Sequence, residues 1–384
     1  MTPASPRIAV LGAGTMGVMT AWRLAERGFA VTAIDDREPG HSHGAAGGES
    51  RIFRVAYKEG RHYVPLLRRA RTLWQDLERA SGERLLLPTG ALTVGAPDHP
   101  DVTETLTSAR THDLDVEVLD QDAAARRFPP HRLLDGEVIV VDRAGGTLLP
   151  SAALRAAAGR ARAHGAELRI GERVLDLKPR TDGIGVVTAS GTTTFDAVVS
   201  ALGPWSRRFW DLLAPAIEVR RVVLAWLAAR DPGDFRPAAF PPGVRRSGPG
   251  GDFSFFSSLD DRTVKMNLHI ARTVLEELDD PLVHDVEAAY AEQVAATARR
   301  YLPGLETTGI RLRAFFDGYT PDGHGLFGPH PDDPRVVLMA GFSGHGFKLS
   351  PLFGDIAADL ATTGETAYDI AGLDPARFRK GAVA

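Results

Sequence analysis

The 384-residue sequence contains no cysteine, which excludes disulfides, thiolate metal ligands, cysteine nucleophiles and any prosthetic group tethered through sulfur. Lysine is nearly as scarce. Lys58, Lys178, Lys265, Lys348 and Lys380 are the only ones among 45 Lys and Arg residues, so a lysine retained at a site is informative. No apolar run approaches the length that spans a bilayer, and the first seven residues hold two prolines in place of an apolar leader. A soluble cytoplasmic protein is expected. No block of like charge exists either: the net charge of −4 is spread along the chain, which argues against nucleic acid or an anionic membrane as partner and for small molecules. The length suits two domains with well-buried interiors.

What is present begins at residue 8. Residues 8–35, IAVLGAGTMGVMTAWRLAERGFAVTAID, read as an apolar strand, a Gly12-x-Gly14-x-x-Gly17 turn, an amphipathic helix, a second apolar strand and an acid. This is the context that a dinucleotide-binding βαβ unit requires. Gly12 permits the tight turn, Gly14 lets the backbone approach a pyrophosphate, Gly17 permits close packing of helix on strand, and Asp35 is placed to accept a ribose hydroxyl. The alternative is a glycine-rich turn in an ordinary α/β domain.

Beyond this unit the chain alternates between two patterns. His41 to Ser50 lacks helical or strand periodicity and reads as a loop beside the cofactor, and residues 62–80 read as an amphipathic helix. Strand patterns at 85–94 and 137–141 flank a short helix at 123–128. Then come an alanine-rich helix at 151–164, strands at 167–170 and 172–177, a hairpin at 184–195, and a buried parallel strand at 197–203. Strands at 219–229, 253–258 and 263–269 and a helix at 284–301 return to the second pattern, with a Pro- and Gly-rich connection at 231–251. A buried strand at 336–340, the turn Gly341 to Lys348 and a helix near 351–362 close the chain.

The fingerprint, Gly48-Glu-Ser-Arg51-Ile-Phe-Arg54-Val-Ala-Tyr57, Glu59-Gly-Arg61-x-Tyr63-Val-Pro65, Ala201-Leu-Gly203-Pro-Trp205, Tyr319-Thr-Pro-Asp322 and Gly341 to Lys348 together resemble the glycine-oxidase/sarcosine-oxidase branch of FAD-dependent amine oxidoreductases. Within that branch they are most similar to the monomeric sarcosine oxidase and N-methyltryptophan oxidase group. The resemblance implies an α/β architecture: a Rossmann-type FAD-binding domain (1–84, 150–217 and 325–384) interleaved with an α+β substrate domain on a mixed or antiparallel sheet (85–149 and 218–324). It implies an FAD site at Gly12, Gly14, Met16, Gly17, Asp35, Asp36, His43, Ser50, Arg51, Val174, Gly203, Trp205, Gly344, His345, Gly346, Phe347 and Lys348. Arg51 would lie beside the flavin, and Arg54 with Lys348 would hold a substrate carboxylate, which a guanidinium fork and an ammonium can orient together. Lys265 and His269, four apart on one strand, would share a face; the lysine would promote reaction with O2, because a fixed cation stabilises charge developing on oxygen. Lys265, Arg51 and His269 are thus the catalytic candidates.

Two departures shape expectation. Members of the group bind FAD through a cysteine shortly before the Tyr-Thr element; here Phe315-Phe-Asp317 stands there, so FAD would be held without a covalent bond, with the Asp317 carboxylate near ring and substrate. Arg245 and Arg246 replace apolar residues. Adjacent strand residues face opposite ways, so at most one enters the pocket, giving a substrate with a second acidic or polar group. Arg245 is carried as the candidate, with Arg246 in its place or both at a solvated edge as the alternatives. The reaction implied is oxidation of a primary or secondary amino acid to an imine, with O2 reduced to H2O2. The alternatives are a dehydrogenase or biosynthetic imine-forming enzyme with another acceptor, and a non-catalytic flavoprotein. No metal is expected, His41-Ser-His43 being assigned to the cofactor, and the protein would be a monomer or homodimer.

Overall fold

A computed structural model describes residues 5–379 apart from 249, 271–272, 277 and 279–285. Its first layer is a six-stranded sheet in the order Leu326–His330, Asp333–Ala340, Ala197–Ser200, Arg7–Leu11, Ala30–Asp35, Glu167–Ile170. The strands are parallel except Leu326–His330, which runs antiparallel to its neighbour. Both faces are covered, which explains the uninterrupted apolar runs of its central strands. Ile8 and Val10 pack with the helices Thr15–Glu26, Val64–Ser81, Pro150–Ala163 and Ser350–Thr363. Ala9 and Leu11, one residue out of phase, pack with Ile184, Val186 and Phe195 of the antiparallel sheet Asp176–Arg180, Gly183–Thr188, Gly191–Phe195.

The second layer is an eight-stranded sheet ordered Arg311–Tyr319, Glu218–Ala228, Thr263–Leu268, Phe253–Phe256, Gly243–Arg246, Ala91–Gly95, Val138–Asp142, Val116–Leu119. All its pairings are antiparallel except Gly243–Arg246 with Ala91–Gly95. One face carries Phe253, Phe255, Met266 and Leu268 into a core closed by the helix Ala288–Tyr301. The side chains between them point the other way, toward the six-stranded layer.

Several sequence expectations shift. The strand expected at 172–177 is Asp176–Arg180, which frees Val174 to line a cavity. Of the helix expected at 284–301, residues 284–285 lie outside the described residues and Ala288–Tyr301 is helical. Helix Pro100–Thr111 went unread; its apolar periodicity is weak, and it starts where the His99 ring accepts the Asp101 N–H at 3.1 Å. Among the described residues no helix is long and apolar enough to cross a membrane.

Candidate active site

Two adjoining cavities, of about 520 and about 470 Å³, share Ala45, Arg51, Phe316, Asp317, Gly344 and Phe347 as a common wall. The first starts at the glycine turn. Gly12 has φ +87°, and a Cβ there would sit 2.7 Å from the Ala201 carbonyl oxygen; a Cβ on Gly17 would collide with the Gly12 carbonyl. A Cβ on Gly14 would meet nothing within 4 Å, so this residue borders open space where a phosphate can lie. Met16, Asp35, Asp36, His43, Val174, Gly203, Trp205 and Gly346 continue the lining. Asp35 accepts the backbone N–H groups of Ala13 at 2.6 Å and Arg37 at 2.9 Å, yet burial pushes its carboxyl up to about 6. A carboxyl so placed is suited to a hydroxyl partner. The glycine turn, the open side of Gly14 and this acid fit a dinucleotide.

Four residues expected at the cofactor lie off the dinucleotide cavity: His345 and Lys348 line only the second cavity, and two others line neither. Gly17 does not line the cavity and serves helix–strand packing. Ser50 is buried outside both cavities; its carbonyl accepts from Arg51 at 2.8 Å and from Lys265 at 2.7 Å. Arg51 also donates to the carbonyls of Ala45 at 2.7 Å and Gly47 at 2.6 Å. It thereby ties the 41–50 loop to the common wall, and burial lowers its guanidinium to about 10.

The second cavity is floored by one face of the eight-stranded sheet. Val244 and Arg246, Ser254 and Phe256, Lys265 and Asn267, Arg220, Val222 and Leu224, and Phe315, Asp317 and Tyr319 alternate into it from five strands. Lys265 is 2% exposed, donates to the Gly48 and Ser50 carbonyls, and lies 3.8 Å from the Phe256 ring centroid. Burial and the charge of Arg51 push it well below the usual lysine range. His269, just past that strand, also lines the cavity, its ring held between Arg246 and Ser254.

Opposite the sheet stand Arg54 and Lys348. Arg54 is 6% exposed and pairs through one nitrogen with Glu59 at 2.9 Å, while its Nε and the other terminal nitrogen have no hydrogen-bond partner among the described residues. Two unsatisfied guanidinium nitrogens buried on a cavity wall call for an anionic ligand. Lys348 donates to the His345 carbonyl at 2.9 Å and the Tyr57 hydroxyl at 3.2 Å. Burial, reinforced by Arg54, Lys58 and Arg51, lowers it to about 7 against the pull of Glu59. Burial alone would raise the Glu59 carboxyl, but Arg54, Lys58 and Lys348 hold it well below the usual range. His345 faces the Gly323 carbonyl through Nε2 at 2.8 Å and must donate there, so Nδ1 accepts from Tyr57 at 3.0 Å. Burial lowers His345 to about 4, and the neutral ring fixes the Tyr57 hydroxyl under Lys348.

Arg245 corrects the expectation. It is fully buried on the face away from the cavity, where it pairs with Glu137, donates to Ser247 at 2.8 Å and the Arg132 carbonyl at 2.9 Å, and lies 4.2 Å from the Tyr301 ring centroid. Arg246, one residue later and so of opposite phase, lines the cavity. Neither sits at a solvated edge.

Residues 7–360 match the family model described as "DAO: FAD dependent oxidoreductase". The chain belongs to this family. This FAD-dependent oxidoreductase is 34% identical over 376 residues to the monomeric sarcosine oxidase of Streptomyces avermitilis, covering 97% of each chain. It is 28% identical to the N-methyl-L-tryptophan oxidase of Yersinia pestis, over 96% of this chain and 98% of that one. Among solved structures it is similar to NikD, described as an unusual amino acid oxidase essential for nikkomycin biosynthesis, with a TM-score of 0.85, 26% identity and coverage of 97% and 98%. The enzyme is therefore of the sarcosine-oxidase type, a flavin-dependent amine or amino acid oxidoreductase.

Sequence reasoning missed Lys58, Glu59, Arg220 and Ser254 in the second cavity and Tyr57 beneath Lys348. Lys58 carried a usable signal, being one of few lysines in an arginine-rich chain. Among the described residues no group of His, Asp and Glu could hold a metal ion.

Proposed function

We propose that this enzyme oxidises a primary or secondary amino acid to an imine, with O2 as acceptor and H2O2 as product, and holds FAD without a covalent bond. The observation that carries this reading is the pair of unpartnered Arg54 nitrogens beside Lys348, in a cavity sharing a wall with the dinucleotide cavity. When bound, FAD supplies a hydride acceptor at that wall and a route for the electron pair to O2.

The chain's own residues do the rest. Arg54 and Lys348 bind the α-carboxylate and so set the direction of the neighbouring C–N bond. Glu59 holds Arg54, and Tyr57 with His345 holds Lys348, so neither cation has to reorganise on binding. The substrate amine reacts as the free base: its lone pair forms C=N as hydride leaves carbon, so no side chain has to act as a general base. Arg51 places a fixed positive charge on the common wall, and Lys265, buried nearby and pushed low by burial and Arg51, is an amine whose protonated form is favoured as negative charge develops in the oxygen half-reaction.

The test is an anaerobic titration of the purified yellow protein with N-methyl, cyclic and acidic amino acids. Bleaching, followed on aeration by return of colour and one H2O2 per turnover, supports the reading. Bleaching with slow return in air would replace oxidase by dehydrogenase, and a yellow protein that no amine bleaches would overturn the catalytic reading. Acid denaturation should release the flavin into the supernatant. Lys265→Met should slow reoxidation on the order of 10²-fold while leaving anaerobic bleaching nearly intact.

A further inference from the structure

Four cations line the second cavity, in a row that shared carboxylates carry from Arg54, beside Lys348 and opposite the sheet, through Lys58 to Arg246 on the sheet. Two carboxylates serve them. Glu59 is shared by Arg54 at 2.9 Å and Lys58 at 3.3 Å, and Asp101 by Lys58 at 3.2 Å and Arg246. An α-carboxylate on Arg54 and Lys348 would leave one positive charge uncompensated, at the end of the row where Arg246 stands. Uncompensated charge is costly in a half-closed cavity, and a second anion removes that cost.

The hydrogen bonds around Arg246 have a definite direction. A guanidinium only donates, so the short contact between Arg246 and His269 Nδ1 makes that nitrogen an acceptor. The proton of the neutral ring then sits on Nε2 and is donated to Ser254 Oγ at 2.8 Å. Ser254, having accepted, has its hydroxyl proton left over, and no acceptor for it stands among the described residues. Arg246 spends Nε on Asp101 and one terminal nitrogen on His269 and the Arg245 carbonyl, while its other terminal nitrogen has no hydrogen bond among the described residues. The Arg246 end therefore offers donors and a net charge. His269, locked as acceptor on one side and donor on the other, orients Ser254 and has no lone pair to act as a base.

Size points the same way. About 470 Å³ is ligand-sized space, far more than an α-carboxylate and a methylamine fill. We propose that the amine oxidised here carries a second carboxylate, on its side chain or N-substituent, which seats against Arg246, Ser254 and Lys58 while the α-carboxylate lies on Arg54 and Lys348. This rests on the amino acid oxidation proposed above, and it makes the substrate an N-alkyl or free dicarboxylic amino acid.

The test is equilibrium binding to the protein as purified, without turnover. Isothermal titration would compare glutarate, adipate and pimelate with their monomethyl esters, which keep the length and lose one charge. The diacid whose length fits should bind about tenfold or more tighter than its ester, as expected for a charge-assisted contact in a partly closed site. Arg246→Met should collapse that ratio to near one, Arg246→Lys should keep part of it, and Ser254→Ala should reduce it by a few-fold. A wild-type ratio near one at every length would overturn the proposal, as would a ratio that survives in Arg246→Met. Should Arg246→Met fail to fold, Arg246→Lys and Ser254→Ala still decide. A protein that no amine bleaches yet shows an Arg246-dependent diacid preference would refute the oxidation and leave the second anion site standing.

Discussion

The two faces of the eight-stranded sheet handle arginine in opposite ways, although Arg245 and Arg246 are neighbours on one strand. On the core face Arg245 is fully buried, and each of its three nitrogens finds a partner in Ser247, Arg132 or Glu137. On the cavity side Arg246 and, across from it, Arg54 are nearly as buried but keep donors unspent. Burial does not separate the two cases; hydrogen-bond satisfaction does. A buried guanidinium with each nitrogen hydrogen-bonded is structural, and one on a cavity wall with nitrogens left over marks a ligand site.

Substitution should break that comparison in different currencies. Arg245→Met leaves Glu137 charged and unpaired in the core, and removing one partner of a buried pair costs about 3–5 kcal/mol. Urea unfolding should show a loss of that order, partly recovered by adding Glu137→Gln, which removes the orphaned charge. Arg54→Met should leave the urea midpoint far closer to wild type and instead weaken binding of any carboxylate ligand by on the order of 10²-fold, the range for truncating a desolvated charged partner. Equal stability losses in the two variants would erase the distinction.

The contrast also shows what a sequence can carry. The dinucleotide cavity was legible because its determinants are local: Gly12, Gly14 and Asp35 stand within one strand–turn–helix–strand unit, Gly12 where its backbone conformation and the Ala201 carbonyl admit no side chain, and Gly14 where the turn opens on the cavity. The catalytic face was legible only as single residues, since Lys265, Arg54 and Lys348 come from segments that meet through the tertiary fold. Phase was not legible at all on Gly243–Arg246, a four-residue strand whose residues are all buried. With both faces covered there is no alternation to read, so assigning the pocket arginine to Arg245 was wrong by one residue and by one whole face. Lys58, marked in the sequence only by the scarcity of lysine, reaches the site from a loop, and Asp101 from a helix with no motif, so only the charge row shows that they act together.

On the cavity side, charge should also be adjustable by pH. Lys348 is held near 7 by burial, so without ligand it loses its proton as pH rises through 7, and only the protonated form attracts a carboxylate. Ligand affinity should therefore be full below pH 7 and fall above it by up to tenfold per unit, with proton uptake on binding visible as a buffer-dependent enthalpy. Lys348→Met should weaken binding at low pH and flatten the profile. A wild-type profile that is flat from pH 6 to 9 would remove Lys348 from the carboxylate site.

The core face holds one group that its neighbours leave unsatisfied, and it gives the smallest effect at neutral pH. His131 stacks on Phe240 at 4.7 Å between centroids and meets Phe255 edge-on at 4.7 Å, with neither ring nitrogen hydrogen-bonded among the described residues. Burial, then the charge of Arg245, lowers it to about 3. The folded protein thus binds fewer protons than the unfolded chain between pH 6.5 and 3, and stability must fall as pH drops through that window. His131→Phe removes both the orphaned nitrogens and the titration. At pH 7.5 the gain should be only about 1 kcal/mol, the cost of an unsatisfied polar group less some crowding from the larger ring. Below pH 6.5 it should grow by up to about 1.4 kcal/mol for each unit, so the difference in urea midpoint between variant and wild type should widen steadily toward pH 5. A constant difference across that range would mean that His131 finds a partner for its proton inside the core, and that the closed face is as fully satisfied at His131 as it is at Arg245.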